Sequence, residues 1–248
     1  MIVTFYSTKG GCGKTSSALA LLSAIAEKNH TSSLAEKIRV AAVDVDPQAS
    51  LSNFSRERAA RGLPSHGISH YAKQDATNAA DEIKALDKEN DLVIVDTQGA
   101  YSGANVQIIG VSDVVLVPSG LEAMEAVVTS EVLNYVLGLA ETGRFNGSVA
   151  MLMTRTPAAA GFLSKLNLAV LSSLRANGYP VLATALNARP AIPNIVNTSL
   201  FLFEQAAKEP KSKSIPAAQE DARRLLSFVL DWTLLPALAE AVVEGETN

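Results

Sequence analysis

The chain is almost without cysteine. Cys12 is the only one in 248 residues, so an internal disulfide and a cysteine-built zinc site are both excluded. A strong excess of one charge sign is also missing: 21 Lys and Arg stand against 25 Asp and Glu, a formal net charge of −4. That balance excludes a wholly basic nucleic-acid binder, and any such contact needs a local patch or a dimer. No apolar run approaches the roughly 18 residues that cross a bilayer. Met1 leads almost at once into an apolar strand, with no charged-then-apolar leader, and a reducing cytoplasm is the expected location. No internal repeat and no long polar linker divides the chain, so residues 1–248 are expected to form one domain. Hydrophobic residues make up 48% and charged residues 19%, enough to build a core and too apolar for general disorder.

What is present begins with Lys9-Gly10-Gly11-Cys12-Gly13-Lys14-Thr15-Ser16. It lies between the apolar runs Ile2–Tyr6 and Ala18–Ala26, where a strand gives way to a helix. Glycines let a backbone fold tightly enough to point N–H groups at phosphate oxygens, and the helix adds the positive end of its dipole. Lys14 is placed for the β- and γ-phosphates, and the Thr15 hydroxyl for Mg²⁺. Thr8 stands where the common loop has its first glycine, and a second lysine, Lys9, follows it.

Short apolar runs alternate with helical stretches, which predicts an α/β fold with a mostly parallel central sheet and helices on both faces. Strands are expected at Ile2–Tyr6, Ile38–Val43, Leu92–Val95, Val114–Val117, Val149–Met153 and Val181–Leu186. Helical spacing appears in Val128, Val132, Tyr135, Leu139, in Leu163, Leu166, Val170, Leu174, and in Ala222, Leu225, Leu226, Val229, Trp232. Pro236 is expected to end or kink the last helix. Residues 53–80 and 187–216 read as irregular; the second holds Pro190, Pro193, Pro210 and Pro216.

Two strand ends carry acids. Leu92-Val93-Ile94-Val95-Asp96 ends in a carboxylate at the sheet edge where open α/β sheets bind ligands. Asp96 is suited to hold Mg²⁺ through its water shell. Val43-Asp44-Val45-Asp46-Pro47-Gln48 is expected to turn two carboxylates into the same crevice, Asp44 near the metal's waters and Asp46 orienting an attacking water.

These motifs together, with Val95-Asp96-Thr97 and Val115-Leu116-Val117-Pro118, resemble the ParA/MinD family of deviant Walker-A ATPases. The resemblance implies a P-loop NTPase that binds ATP with Mg²⁺ and closes into a homodimer with nucleotides sandwiched between subunits. It implies that Lys9 crosses to the partner's nucleotide, that Lys14 is the loop lysine, and that Asp46 positions the water. Thr97-Gln98-Gly99 is nearer to the VirC-type branch, linked to conjugative DNA transfer, than to the family's usual Thr-Pro-Pro. Thr154-Arg155 stands where many members place an asparagine for adenine. A nitrogenase-type iron–sulfur reductase shares the deviant loop, but its cluster needs two cysteines per chain outside it.

ParA-type members bind DNA non-specifically as ATP dimers and are stimulated by a ParB-type adaptor; MinD-type members bind membrane through a basic amphipathic tail. The tail here, Leu234–Asn248, carries Glu240, Glu244 and Glu246 and no Lys or Arg, which disfavours an anionic leaflet. Lys208, Lys211, Lys213, Arg223 and Arg224 form the candidate DNA set, diluted by nearby acids, with Arg56, Arg58 and Arg61 as a second. The resulting expectation is a short ParA-like ATPase that positions or segregates a plasmid or other cargo, nucleoid-associated if it binds DNA. The alternatives are a VirC-type accessory factor, a nucleotide-gated scaffold with little hydrolysis, and a small-molecule ligase or kinase on the same fold.

Overall fold

Val3 and Phe5 face one side of a parallel sheet and Ile2 faces the other, and all three are buried. Helices cover both sides, which is why the first strand is apolar without alternation. The computed structural model describes residues 1–73, 78–157 and 163–232. Its strands are β1 (Ile2–Phe5), β2 (Val40–Asp44), β3 (Ile68–Ala72), β4 (Leu92–Asp96), β5 (Val114–Ser119), β6 (Ser148–Thr156) and β7 (Val181–Asn187). They lie in the order β3-β2-β4-β1-β5-β6-β7, and every neighbouring pair is parallel.

The helices are α1 (Lys14–Thr31), α2 (Ser50–Ala60), α3 (Ala79–Glu89), α4 (Gly103–Val111), α5 (Ala123–Glu141), α6 (Lys165–Ala176), α7 (Ala191–Thr198), α8 (Leu202–Lys208) and α9 (Ser214–Asp231). One face of the sheet packs on α1, α2, α7, α8 and α9, with Phe5, Leu22, Ile94, Phe201 and Leu225 in that layer. On the other face, Val115, Val117 and Met151 meet Val132, Leu133 and Val136 of α5. Val43, Val93 and Val95 meet Ile83 of α3 and Ile108 of α4. Successive residues of β4 therefore serve different cores: Leu92 and Ile94 one, Val93 and Val95 the other. By length and hydropathy α5 alone, among the described residues, could cross a membrane, yet its Val132–Leu133–Val136–Leu139 face is buried on the sheet.

Six strands match the expected positions, and β3 is a correction. It lies inside the stretch read as irregular, together with parts of α2 and α3. It is an edge strand in which only Ile68 is fully buried, so Ile68-Ser69-His70-Tyr71-Ala72 gives no apolar run. The proline-rich stretch is corrected too, because it contains α7 and α8. Pro193 and Pro216 each sit in the first turn of a helix, where the missing N–H has no intrahelical acceptor to lose. Pro236 and the acidic tail lie outside the described residues.

Strand order reverses around β1: β4 follows on one side, β5 on the other. The carboxyl ends of these three strands open a crevice, and the first loop of the chain lies across it.

Candidate nucleotide site

The loop after β1 has the geometry its glycines permit. Gly11 and Gly13 take φ of 72° and 104°, a region that residues with a Cβ enter at a cost. Gly13 caps α1 with no side-chain partner, and no acid occupies the first turn. The free N–H groups and the helix dipole are therefore left for an anion. A polar crevice of about 400 Å³ opens above them, lined by the loop, Asp46, Gln48, Gln98 and Gly99. Beside it lies a second cavity of about 490 Å³, lined by Gly11, Thr154, Leu186, Pro190, Ile192 and other residues, and mostly apolar. The two share Gly11, Gly13 and Ser16.

Lys14 is buried beneath the loop, and its Nζ lies 3.5 Å from the Lys9 carbonyl. A Cβ on Gly99 would stand 3.0 Å from that ammonium, so the loop after β4 closes directly over Lys14. Cys12 is buried, and its carbonyl accepts a bond from the Thr154 hydroxyl at 3.1 Å.

Thr15 Oγ1 donates to Asp96 Oδ2 at 2.6 Å. The other oxygen, Oδ1, is buried without a partner. Burial pushes the Asp96 carboxyl up to about 7; the Thr15 bond opposes this, neighbouring Asp44 adds to it, and Lys14 opposes it. A buried, under-compensated carboxylate beside a threonine hydroxyl, with one lone oxygen, fits a divalent cation.

Asp44 and Asp46 separate in role. Asp44 pairs with Asp96 in sheet register. Its Oδ1 accepts the Asp46 N–H at 3.1 Å and its Oδ2 the Ser52 N–H at 2.7 Å, which ties the whole loop to the start of α2. Asp46 is the acid that lines the crevice, with one oxygen also accepting the Gln48 N–H at 2.9 Å. Asp46 thus lines the crevice, while Asp44 stands beside Asp96 with each oxygen accepting one backbone amide.

Lys9 is placed in cis. Its Nζ is 2.8 Å from Glu125 Oε1, at the start of α5, with its side chain 39% exposed. Glu125 also takes two bonds from Arg155 Nη2, at 2.7 and 2.8 Å, and the Gly120 N–H at 2.9 Å. Burial would raise its pKa, but the bonds from Lys9 and Arg155 hold it below the ordinary carboxylate range. Sequence reasoning missed Glu125: an acid in the first turn of an apolar helix resembles any dipole-favoured residue. It also missed Asn105, a buried side chain on α4 that donates to the carbonyls of Gln98 and Ala100 at 3.2 and 2.7 Å.

The basic candidates divide. Lys208, Lys211 and Lys213 are exposed around the turn from α8 to α9, with no ion pair among the described residues. Arg223 is held by Glu27 at 2.7 and 3.0 Å, and Arg224 by Glu220 at 3.0 Å. Arg58 is no surface residue. It is buried against Phe201, bonded to Glu204 through both terminal nitrogens and to the carbonyls of Pro64 and Ser199.

The chain is similar to known proteins along most of its length. A family model described as VirC1 protein matches residues 1–233. Protein ParA of Rhizobium radiobacter is 26% identical over 223 residues, covering 89% of this chain and 92% of its own. McdA of Cyanothece superposes with a TM-score of 0.67 at 17% identity, covering 89% of this chain and 98% of its own. Septum site-determining MinD of Pyrococcus horikoshii, solved with Mg-ADP, gives 0.63 at 16% identity over 90% and 95%. The two structures show the fold.

Proposed function

Since the chain belongs to the VirC1 family, one of the ParA/MinD ATPases, we propose that it binds and hydrolyses ATP with Mg²⁺ and uses the cycle to position DNA or DNA-bound cargo. The supporting observation is one juxtaposition: Thr15 and Asp96 lie 2.6 Å apart beneath the phosphate loop, and Lys9 leaves the same loop toward the surface. Phosphates fit the polar crevice, and the adjoining apolar cavity suits a base. Thr15 and Asp96 would hold Mg²⁺, whose charge neutralises that of the phosphates during transfer. Lys14 neutralises phosphate oxygens, and Asp46, on the crevice wall, orients a water. Lys9 crosses to a second subunit's nucleotide, so assembly follows nucleotide state.

The ATP dimer would then present Lys208, Lys211 and Lys213 twice over to DNA. Phosphate contacts of this sort are sequence-independent and steeply salt-dependent. A ParB-type adaptor would accelerate hydrolysis, and the cycle would run in the cytoplasm, on the nucleoid. DNA binding measured across a salt series with ATP, ADP and no nucleotide tests the reading. Binding confined to ATP, with a steep salt slope, supports it; no binding in any state removes the DNA-positioning role.

A second reading, an accessory factor for conjugative DNA transfer, is favoured by the VirC1 match and by Thr97-Gln98-Gly99. It shares the nucleotide chemistry and differs in partners: recruitment of DNA-processing proteins in place of a partition adaptor. If turnover stays negligible with DNA and adaptor present, the protein acts as a nucleotide-gated scaffold.

A further inference from the structure

One carboxylate organises the rim of the site. Glu125 is buried, and it takes bonds from Lys9, from Arg155 twice and from the Gly120 amide. A Cβ on Gly120 would lie 2.3 Å from Glu125 Oε2, so a larger residue there would push the carboxylate out of this position. The carboxylate is thus held by one backbone amide and two cationic side chains.

Arg155 is built in as well. It lies near the end of β6 with φ of 56°, a left-handed conformation that strains a residue with a Cβ. That bend sends the guanidinium across the phosphate loop, where Nη1 donates to the Gly11 carbonyl at 2.9 Å while Nη2 grips Glu125. Its neighbour Thr154 bonds the next carbonyl, Cys12, at 3.1 Å. Consecutive residues of β6 therefore brace consecutive carbonyls of the loop that carries Lys9.

Lys9 and Arg155 share one acceptor, Oε1, at 2.8 and 2.7 Å. If Lys9 were the only cation on Glu125, its departure would strand a buried charge, which proteins strongly resist. Arg155 removes that penalty. Its own bonds reach both carboxylate oxygens, at 2.7 and 2.8 Å, whereas Lys9 reaches Oε1 alone. We propose that Arg155 is a positioning residue that frees Lys9: by satisfying Glu125 itself, it lowers the cost of withdrawing Lys9 from its cis pair for use at a second subunit's nucleotide. The use in trans rests on the function proposed above; the competition for Glu125 does not.

The test separates these two layers. Acylation of the Lys9 amine with acetic anhydride, followed by mass spectrometry on the nucleotide-free protein, reports how often the lysine leaves Glu125. Arg155→Ala should slow Lys9 labelling about threefold or more, because Lys9 becomes the only cation on Glu125. Glu125→Gln should speed it, and Arg155→Ala with Glu125→Gln should be as fast as Glu125→Gln alone. That rescue guards against simple misfolding, since a second substitution, at buried Glu125, does not repair a damaged fold. Labelling of Lys9 that is unchanged or faster in Arg155→Ala would overturn the proposal.

Assembly is then measured at saturating ATP analogue with Mg²⁺ by sedimentation velocity. Arg155→Ala should weaken dimers about tenfold, and the double variant should restore them to within about threefold of the parent. Dimers as tight in Arg155→Ala as in the parent overturn the positioning role. A parent that never assembles counts against the dimer reading, and the labelling series still judges Arg155.

Discussion

The Thr15 hydroxyl donates to Asp96 at 2.6 Å, joining the first turn of α1 to the tip of β4. The other Asp96 oxygen, Oδ1, has no bond of its own. Asp96→Asn keeps the shape and removes the charge. ATP affinity of the parent should drop when Mg²⁺ is chelated, whereas the variant should bind ATP weakly and with little response to EDTA. An Asp96→Asn protein as Mg²⁺-dependent as the parent in calorimetry would take Asp96 out of the metal site.

Lys14 is buried under the loop, whereas Lys9 is partly exposed and paired with Glu125. Lys14→Ala should weaken ATP binding roughly 10- to 100-fold, the scale of one charge-assisted bond to phosphate. Lys9→Ala should change affinity far less but abolish ATP-dependent dimers in light scattering. Dimers that persist without Lys9 would refute its use in trans.

Asp44 and Asp46 are two residues apart and should fail differently. Asp44→Ala leaves the Asp46 and Ser52 amides without their acceptor, which should cost about 1–3 kcal/mol of stability in urea unfolding. Asp46→Ala loses only one local bond, to Gln48. Its stability should stay within about 0.5 kcal/mol of the parent, while ATP turnover falls and the ATP-bound protein persists on DNA. Normal turnover in this variant would remove Asp46 from the mechanism.

Changing Lys208, Lys211 and Lys213 to alanine should lower DNA affinity in the ATP state for every sequence tried. The slope of log K against log salt should shrink by about 0.9 for each phosphate that the lysines no longer neutralise. Arg223→Ala and Arg224→Ala should matter less, since glutamates already hold both. An unchanged slope in the triple-lysine variant would place the DNA surface elsewhere.

Acid should loosen the β3 edge. Burial, with the nearby Arg58 charge second, depresses the His70 pKa from 6.5 to about 4. His70 is thus neutral when folded and takes a proton more readily when unfolded. Its contribution is present above pH 6.5 and is lost as pH falls toward 4, on the order of 3 kcal/mol in full. His70→Gln should flatten this part of the stability curve between pH 7 and 5 in thermal melts. Parallel curves for variant and parent would show that His70 is not the source.

Much of the frame could be read along the chain. Wherever a strand is covered on both faces, as in Leu92–Val95 and Val114–Val117, its apolar run announced it. The β3 edge escaped because a strand buried on little more than one residue has no such run. Pro193 and Pro216 misled because a proline that breaks a helix interior is harmless in a first turn.

The phosphate loop, Asp96 at its strand end and the family itself follow from neighbours in sequence, because adjacent residues must make a tight turn and adjacent strands must end at one edge. The rest was settled only when distant segments met. Glu125 lies 116 residues from Lys9, and Arg155 lies 144 from Gly11. Arg58 is basic in sequence but buried in space, because Phe201 and Glu204 arrive from α8 and its flank to cover it. Local pattern determined which residues could carry the chemistry. Tertiary packing decided which charges meet, because a charge takes its partners from whatever the fold brings within a few ångströms.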